Sequence, residues 1–458
     1  MIKFDIEKMI EITGGRSLKR SSDEMISGFS IDSRTIKAGD IFLAVKGENF
    51  DGHSFLEDAL DRGASGIIIS QDVPDNIKEK ARDIIFVGDV LKAIADISRE
   101  IRKSIGAKVI AVTGSNGKTT VKDYLANIVS SEYNVLVSKR SFNNLIGVGL
   151  TLFEAQNSHD IVILELGTNH PGEMGVLGEI ANPDIALITN VGRSHMEFFH
   201  DTEGVFKEKT SLLDHLAPGG QAFINGDDIL LRKIKGKRTD IKSYGMGKNN
   251  DIVISNISKG KRGYRFFVGE DDYMFSGEGL HNVQNAAAAI SVAGYLGIKK
   301  NNIREKIKDA PLPPMRLERI EAGDLIFIND AYNANPDSFE RALDVLEDAS
   351  CEGDRVIIAG DMFELGERSA EFHRELGKSI AGRKIKFLIA TGKWAHETIK
   401  GAADAGMPIE NTLRSEDHKT ISGFIRLKAA KRSTILLKAS RKAKLEEILR
   451  CFTTCSIN

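Results

Sequence analysis

Val109-Ile110-Ala111-Val112-Thr113-Gly114-Ser115-Asn116-Gly117-Lys118-Thr119-Thr120 reads as a buried strand, a glycine turn and the start of a helix. An apolar run without polar alternation suits a strand covered on both faces. The glycines let backbone N–H groups turn inward around a phosphate, and the helix behind them adds the positive end of its dipole. Lys118 can then reach the outer phosphates and Thr119 can offer its hydroxyl to magnesium, with Gly114, Ser115, Asn116, Gly117 and Thr120 completing the loop. The strict pattern has glycine where this chain has Val112, so the match is a variant. A glycine turn without a ligand is the alternative, and the Gly-Lys-Thr context weighs against it. A GTPase needs a guanine-reading Asn-Lys-x-Asp, and no Asn-Lys pair occurs, so ATP is the expected nucleotide.

Outward from this loop, apolar runs at 134–138, 160–166 and 184–189 alternate with helix-length segments, which predicts a parallel sheet with helices on both faces. Between 251 and 279 the texture changes to strands and turns, and the alanine-rich stretch 285–296 predicts a helix. Ala310-Pro311-Leu312-Pro313-Pro314 holds three of the nine prolines and marks a boundary. Beyond it, strand-like runs at 324–328, 355–359, 385–390 and 433–437, each followed by a helical pattern, predict a second doubly wound sheet. Ahead of the loop, the runs 41–45 and 67–69 and a helical stretch at 90–104 predict a small α/β domain ending at Ile105-Gly106-Ala107-Lys108. The expected fold class is α/β in three domains. These are a small N-terminal α/β domain (1–105), a central P-loop ATPase-like parallel-sheet domain (106–313) and a C-terminal Rossmann-like domain (314–458).

At 458 residues the chain is too long for one ordinary core, and 41% hydrophobic with 28% charged residues is globular composition. A net charge of -2 without a long basic run makes nucleic acid an unexpected partner. The first fifteen residues carry charges throughout, no apolar run reaches membrane-spanning length, and Cys351, Cys451 and Cys455 suggest neither a disulfide framework nor a zinc site. A cytoplasmic enzyme without membrane insertion is expected.

The run Asp160-Ile161-Val162-Ile163-Leu164-Glu165 ends in a carboxylate at the strand edge where open α/β sheets bind ligands, which makes Glu165 a magnesium-ligand candidate. After the strand at 185–189, Asn190-Val191-Gly192-Arg193-Ser194-His195 brings His195 to the same edge. Lys209 follows on a predicted helix at 204–216; taken alone, Lys207 and Lys209 read as a solvated helix face.

Taken together, these residues resemble the Mur ligases, which lengthen the peptide of the bacterial cell-wall precursor by ATP-driven amide formation. The likeness extends over essentially the whole chain. It includes Ile31-Asp32-Ser33-Arg34, Gly39-Asp40-Ile41-Phe42 and Asp51-Gly52-His53 in the first domain. In the second it includes Asn143-Asn144-Leu145-Ile146-Gly147 and His281-Asn282-Val283-Gln284-Asn285-Ala286. In the third are Arg316-Leu317-Glu318, Asp330-Ala331-Tyr332-Asn333-Ala334-Asn335-Pro336 and Gly360-Asp361-Met362-Phe363-Glu364-Leu365-Gly366. The last two segments resemble the branch that joins D-alanyl-D-alanine to a UDP-N-acetylmuramoyl tripeptide.

The resemblance implies roles. Lys118, His195 and Lys209 would be catalytic, with Lys209 carbamylated by carbon dioxide to serve a second magnesium beside His195. Thr119 and Glu165 would hold the first magnesium. Asn285 would touch adenine, while Arg316 and Asp330 would reach phosphate and ribose. Ser33 and Arg34 would receive the UDP-sugar, and Asn143, Asn144, Asn333 and Asn335 would line the substrate path. A monomer is expected. The chain departs from the family pattern at Gly149, where proline is expected, at Thr210-Ser211 after Lys209, and at Ala439, where glycine is common.

Overall fold

The computed structural model describes residues 4–21, 25–47, 50–261 and 263–453; Cys455 lies outside them. Three sheets follow one another along the chain. In the first, the strands run in the order Arg16–Lys19, Asp83–Phe86, Gly66–Ile69, Asp40–Leu43, Gly28–Ser30. All neighbours are parallel except the first pair.

The central sheet has nine strands. Lys108–Thr113 lies between Ile161–Glu165 and Ile185–Ile188, all parallel, and Val135–Val137 forms one edge. Alternation sorts the side chains of these strands. Val109, Ala111, Val162 and Leu164 join one core, with helices Val90–Ser104, Leu145–Phe153 and Glu173–Ala181. Ile110, Val112, Ile161 and Ile163 join the other, under helices Lys118–Val129 and Leu280–Tyr295. At its far edge the sheet takes in the segment expected as strands and turns. Ile252–Gly260, Gly263–Val268 and Asp271–Phe275 extend it as antiparallel hairpins, because their connections are too short for the crossover that a parallel pair requires.

The first core is continuous across two sheets, since Ile41, Leu43, Ile68 and Ile85 share it with Val90–Ser104 and the central strands. Gly149 explains its departure from the family pattern: a Cβ there would stand 2.6 Å from Ile94 Cγ2 and 3.0 Å from Ser98 Oγ. The bare backbone lets Leu145–Phe153 close on the helix that leaves the first sheet. The predicted helix at 204–216 is shorter than expected: Thr202–Thr210 is α-helical and Ser211–His215 tightens into a 3₁₀ turn. Thr210 Oγ1 donates to Phe206 O and Ser211 Oγ to Glu208 O, tying off that end.

The third sheet has the order Glu318–Ala322, Leu325–Asp330, Thr434–Lys438, Arg355–Ala359, Phe387–Ala390, Thr412–Arg414, parallel after the opening hairpin. No helix among the described residues is long and apolar enough to cross a membrane.

Candidate active site

The register pairs Val112 with Glu165 and Thr113 with Ile188, so the loop, Glu165 and the segment after Ile188 emerge at one sheet edge. Gly114 has φ 144°, and a Cβ there would lie 1.9 Å from Thr189 Oγ1. Gly117 has φ 84° and caps Lys118–Val129; its added Cβ would meet Asn285 Oδ1 at 2.5 Å. The two glycines therefore serve both the turn and close approach. Asn190 fixes the loop from the side, accepting from Asn116 N through Oδ1 at 3.0 Å and donating through Nδ2 to Asn116 O at 2.9 Å. Lys118 Nζ donates to Gly114 O at 2.8 Å. Burial lowers its pKa, with Arg316 adding to that and Glu165 opposing it.

Glu165 is buried, accepting through Oε1 from Asn143 Nδ2 at 3.0 Å. Its Oε2 has no hydrogen-bond partner; the nearest cation, Lys122 Nζ, is 3.7 Å away. Among the described residues no three His, Cys, Asp or Glu side chains cluster as a metal cage. Magnesium is usually held by one or two carboxylates together with substrate phosphates and water. An orphaned, buried carboxylate oxygen beside a phosphate-type loop and the Thr119 hydroxyl fits that habit.

The third sheet supplies the facing wall. Arg316 Nη2 donates to Thr119 Oγ1 at 3.0 Å, and its guanidinium lies 4.4 Å from the centre of the Tyr332 ring. Tyr332 OH bonds Ser141 Oγ at 2.5 Å. Asp330 closes its strand against Lys438, with Nζ to Oδ2 at 2.5 Å. Asn335 caps helix Pro336–Asp348, and its Nδ2 donates to Asn116 Oδ1 at 3.0 Å. Arg193 N and Nε donate to the two carboxylate oxygens of Asp337 at 2.6 and 2.8 Å. His195 Nδ1 is 2.5 Å from Glu364 Oε2.

These groups enclose a cavity of about 450 Å³. Of the residues expected from sequence, Ser115 to Thr120, Asn143, Glu165, His195, Asn285, Arg316, Asp330, Asn333 and Asn335 line it. Gly114 opens the loop without lining the cavity. Asn144 is a helix cap, accepting from Gly147 N at 2.9 Å. Lys209 is 1% exposed and does not line the cavity; burial first, then the charge of Lys118, pushes its amine down to about 7 against the pull of Glu208. Ser33 and Arg34 sit apart, in a turn where Arg34 pairs with Asp32 at 2.7 Å.

Several lining or supporting residues escaped the sequence reading. Lys438, which like Glu165 is a charge closing an apolar strand, carried the same signal; Glu364 was quoted only within a family segment, and its bond to His195, far away in sequence, was not foreseen. His281, whose pKa falls to about 3 through burial and then through Arg341 and Lys438, lines the cavity as a neutral ring at neutral pH.

Three sequence profiles cover the chain. They describe the Mur ligase family catalytic domain at residues 25–102, the Mur ligase middle domain at 112–293 and the Mur ligase glutamate ligase domain at 315–441. The chain belongs to the Mur ligase family. It is 34% identical over 454 residues to the UDP-N-acetylmuramoyl-tripeptide--D-alanyl-D-alanine ligase of Bacillus subtilis, with 98% of each chain covered. MurF from Acinetobacter baumannii superposes with a TM-score of 0.90 at 28% identity, covering 99% of both chains. The MurF ligase of Thermotoga maritima in complex with ADP gives 0.83 at 28%, covering 94% of this chain and 97% of that one. The three-domain α/β fold expected from sequence is that of these structures.

Proposed function

We propose that this Mur ligase joins D-alanyl-D-alanine to UDP-N-acetylmuramoyl-tripeptide at the expense of ATP, in the cytoplasm, as a step of peptidoglycan precursor synthesis. The observation that carries the reading is the convergence of the 114–120 loop, the orphaned Glu165 oxygen and the third-domain residues Arg316, Asp330, Asn333 and Asn335 on one cavity. The full-length likeness to ligases of that name supports the choice of substrates.

In this reading residues 1–105 receive the UDP-sugar through Ser33 and Arg34, residues 106–313 hold ATP, and residues 314–458 bring the amine. Loop N–H groups and Lys118 grip the phosphates, Asn285 faces adenine, and Asp330, steadied by Lys438, faces ribose. Arg316 leaves Thr119 for phosphate, freeing the hydroxyl for magnesium beside Glu165. Magnesium would offset charge on the phosphates.

The terminal carboxylate of the tripeptide attacks the γ-phosphorus, forming an O–P bond as ADP departs. The dipeptide amine, uncharged, then attacks the acyl carbon, the acyl C–O bond breaks as phosphate leaves, and the nitrogen gives up one proton to the departing phosphate or to water. The chain's share is to hold repelling anions together and to keep water out between the domains. The depressed pKa of Lys209 leaves much of its amine as free base near neutrality, the form that adds carbon dioxide. The resulting carbamate would serve a second metal site with His195, supplying hard oxygen in place of a repelling cation.

The test is to supply ATP, magnesium and the tripeptide donor with D-alanyl-D-alanine, L-lysine, diaminopimelate or L-glutamate, and to weigh the products. Dipeptide addition is expected. Efficient addition of a single amino acid with the dipeptide ignored would place the chain elsewhere in the family. ATP hydrolysis without any new amide would point to a nucleotide-driven switch.

A further inference from the structure

Resting on the reading of His195 as a metal ligand, we infer that Glu364 is the positioning residue that sets the His195 ring for its metal. A neutral imidazole carries one N–H, and the nitrogen without it supplies the lone pair that binds metal; the hydrogen bond at one nitrogen decides which is free. Glu364 Oε2, 2.5 Å from Nδ1, accepts a proton held there. Nε2 is thereby left as the donor atom of a residue that lines the cavity.

The backbone supports this assignment independently. His195 has φ 53° and Glu364 φ 62°, both left-handed conformations that non-glycine residues avoid unless their surroundings over-determine them. Here they meet. Glu197 N donates to Glu364 O at 3.1 Å, so main chain and side chain grip the same loop tip from the two sides of a domain boundary. A Cβ on Gly366 would lie only 3.2 Å from Glu197 Cα, so the loop's next turn also presses on this segment.

Glu364 belongs to the third domain and His195 to the central one. The metal-ready tautomer is therefore held in place by the docked third domain, and one side chain links docking to the readiness of a ligand. Undocked, His195 would lose its acceptor and its ring would be free to carry the proton on Nε2, where it blocks coordination.

The test uses the full chain with histidine ¹⁵N-labelled and a non-hydrolysable ATP analogue present. Long-range ¹H–¹⁵N spectra, assigned with His195→Gln, should show the proton on Nδ1 in the wild type and transfer towards Nε2 in Glu364→Ala. Manganese binding, followed by its electron paramagnetic resonance, should weaken about tenfold in Glu364→Ala, the lower end of the range for residues supporting a metal-bound histidine. The lower end applies because the Glu364 side chain is 42% exposed. Glu364→Gln, whose amide oxygen can still accept from Nδ1, should keep the wild-type tautomer and most of the affinity. That partial exposure on a loop leaves both Glu364 variants able to fold. An unchanged tautomer in Glu364→Ala overturns the inference, whether or not manganese affinity falls, and so does unchanged affinity. If His195→Gln itself binds manganese normally, it is the ligand reading of His195 that fails instead.

Discussion

Gly117→Ala should weaken nucleotide binding by about 2–3 kcal/mol, and the structure says where that energy goes. With φ 84° and ψ -6° the position lies in the left-handed region, which costs a residue with a Cβ about 1–2 kcal/mol. The new methyl would also stand 2.5 Å from Asn285 Oδ1 and 3.2 Å from its Cγ. The amide must swing away and give up the bond that its Nδ2 donates to Asn282 Oδ1 at 3.1 Å, worth about 1 kcal/mol. Together these correspond to about 30- to 150-fold in Kd. Titration calorimetry with ADP on the full chain measures it, for Gly117→Ala, Asn285→Ala and the double variant. Because part of the penalty is overlap with one side chain, Gly117→Ala should cost about 1 kcal/mol less when Asn285 is already alanine. Binding within twofold of wild type in Gly117→Ala would refute the geometry of the loop; strict additivity in the double variant would refute the role given to Asn285.

Lys118→Ala should fold normally and lose at least about a hundredfold in amide formation, since it removes a cation aimed at developing phosphate charge rather than a core side chain; product formation near the wild-type rate would discard the loop assignment. Lys209→Ala should be nearly inactive and partly restored by a short carboxylic acid, read as product formed per minute with and without the acid. In the wild type, a Lys209 amine titrating at about 7 rather than 10.5 loses its free base as pH falls below about 7, so incorporation of ¹³CO₂ into a carbamate should fade on that side and persist above it; a carbamate signal absent at every pH would remove Lys209 from the site. Asp337→Ala should loosen the contact between the second and third domains by leaving Arg193 unpaired, raising the ATP KM more than it lowers kcat.

Much of the architecture was legible because buried parallel strands are written as uninterrupted apolar runs. The strand at 355–359 and the helix at 90–104 fall where the pattern placed them. Strand direction is not written that way, so the hairpins of 252–275 were recognisable as strands but not as an antiparallel extension. In the site, the loop and Glu165 announced themselves by local order along the chain. Lys122 did not, because its Nζ is folded inward onto the carbonyls of Ser138 and Arg140, contacts that no local pattern marks. Ala439 was noted only as a departure from the family pattern. Its methyl occupies the space beside Gly360, where a second Cβ would come within 2.7 Å, so the missing glycine of one segment is matched by the glycine of the other.

The proline-rich stretch at 310–314 bears on how the site comes together in time. Pro311, Pro313 and Pro314 each hold φ near one value, and the residues on either side of Arg316, Met315 and Leu317, both have φ 57°. A tether with so few soft torsions keeps its cargo at high effective concentration, because little of the space around the central domain is open to it. The third domain's search for its docked pose is correspondingly short. Contacts as modest as the Asn116–Asn335 amide pair, which could not hold two separate proteins together, are then sufficient to register the two walls of the cavity. Arg316 sits directly after that tether, and its bond to Thr119 Oγ1 ties the start of the third domain to the phosphate-type loop.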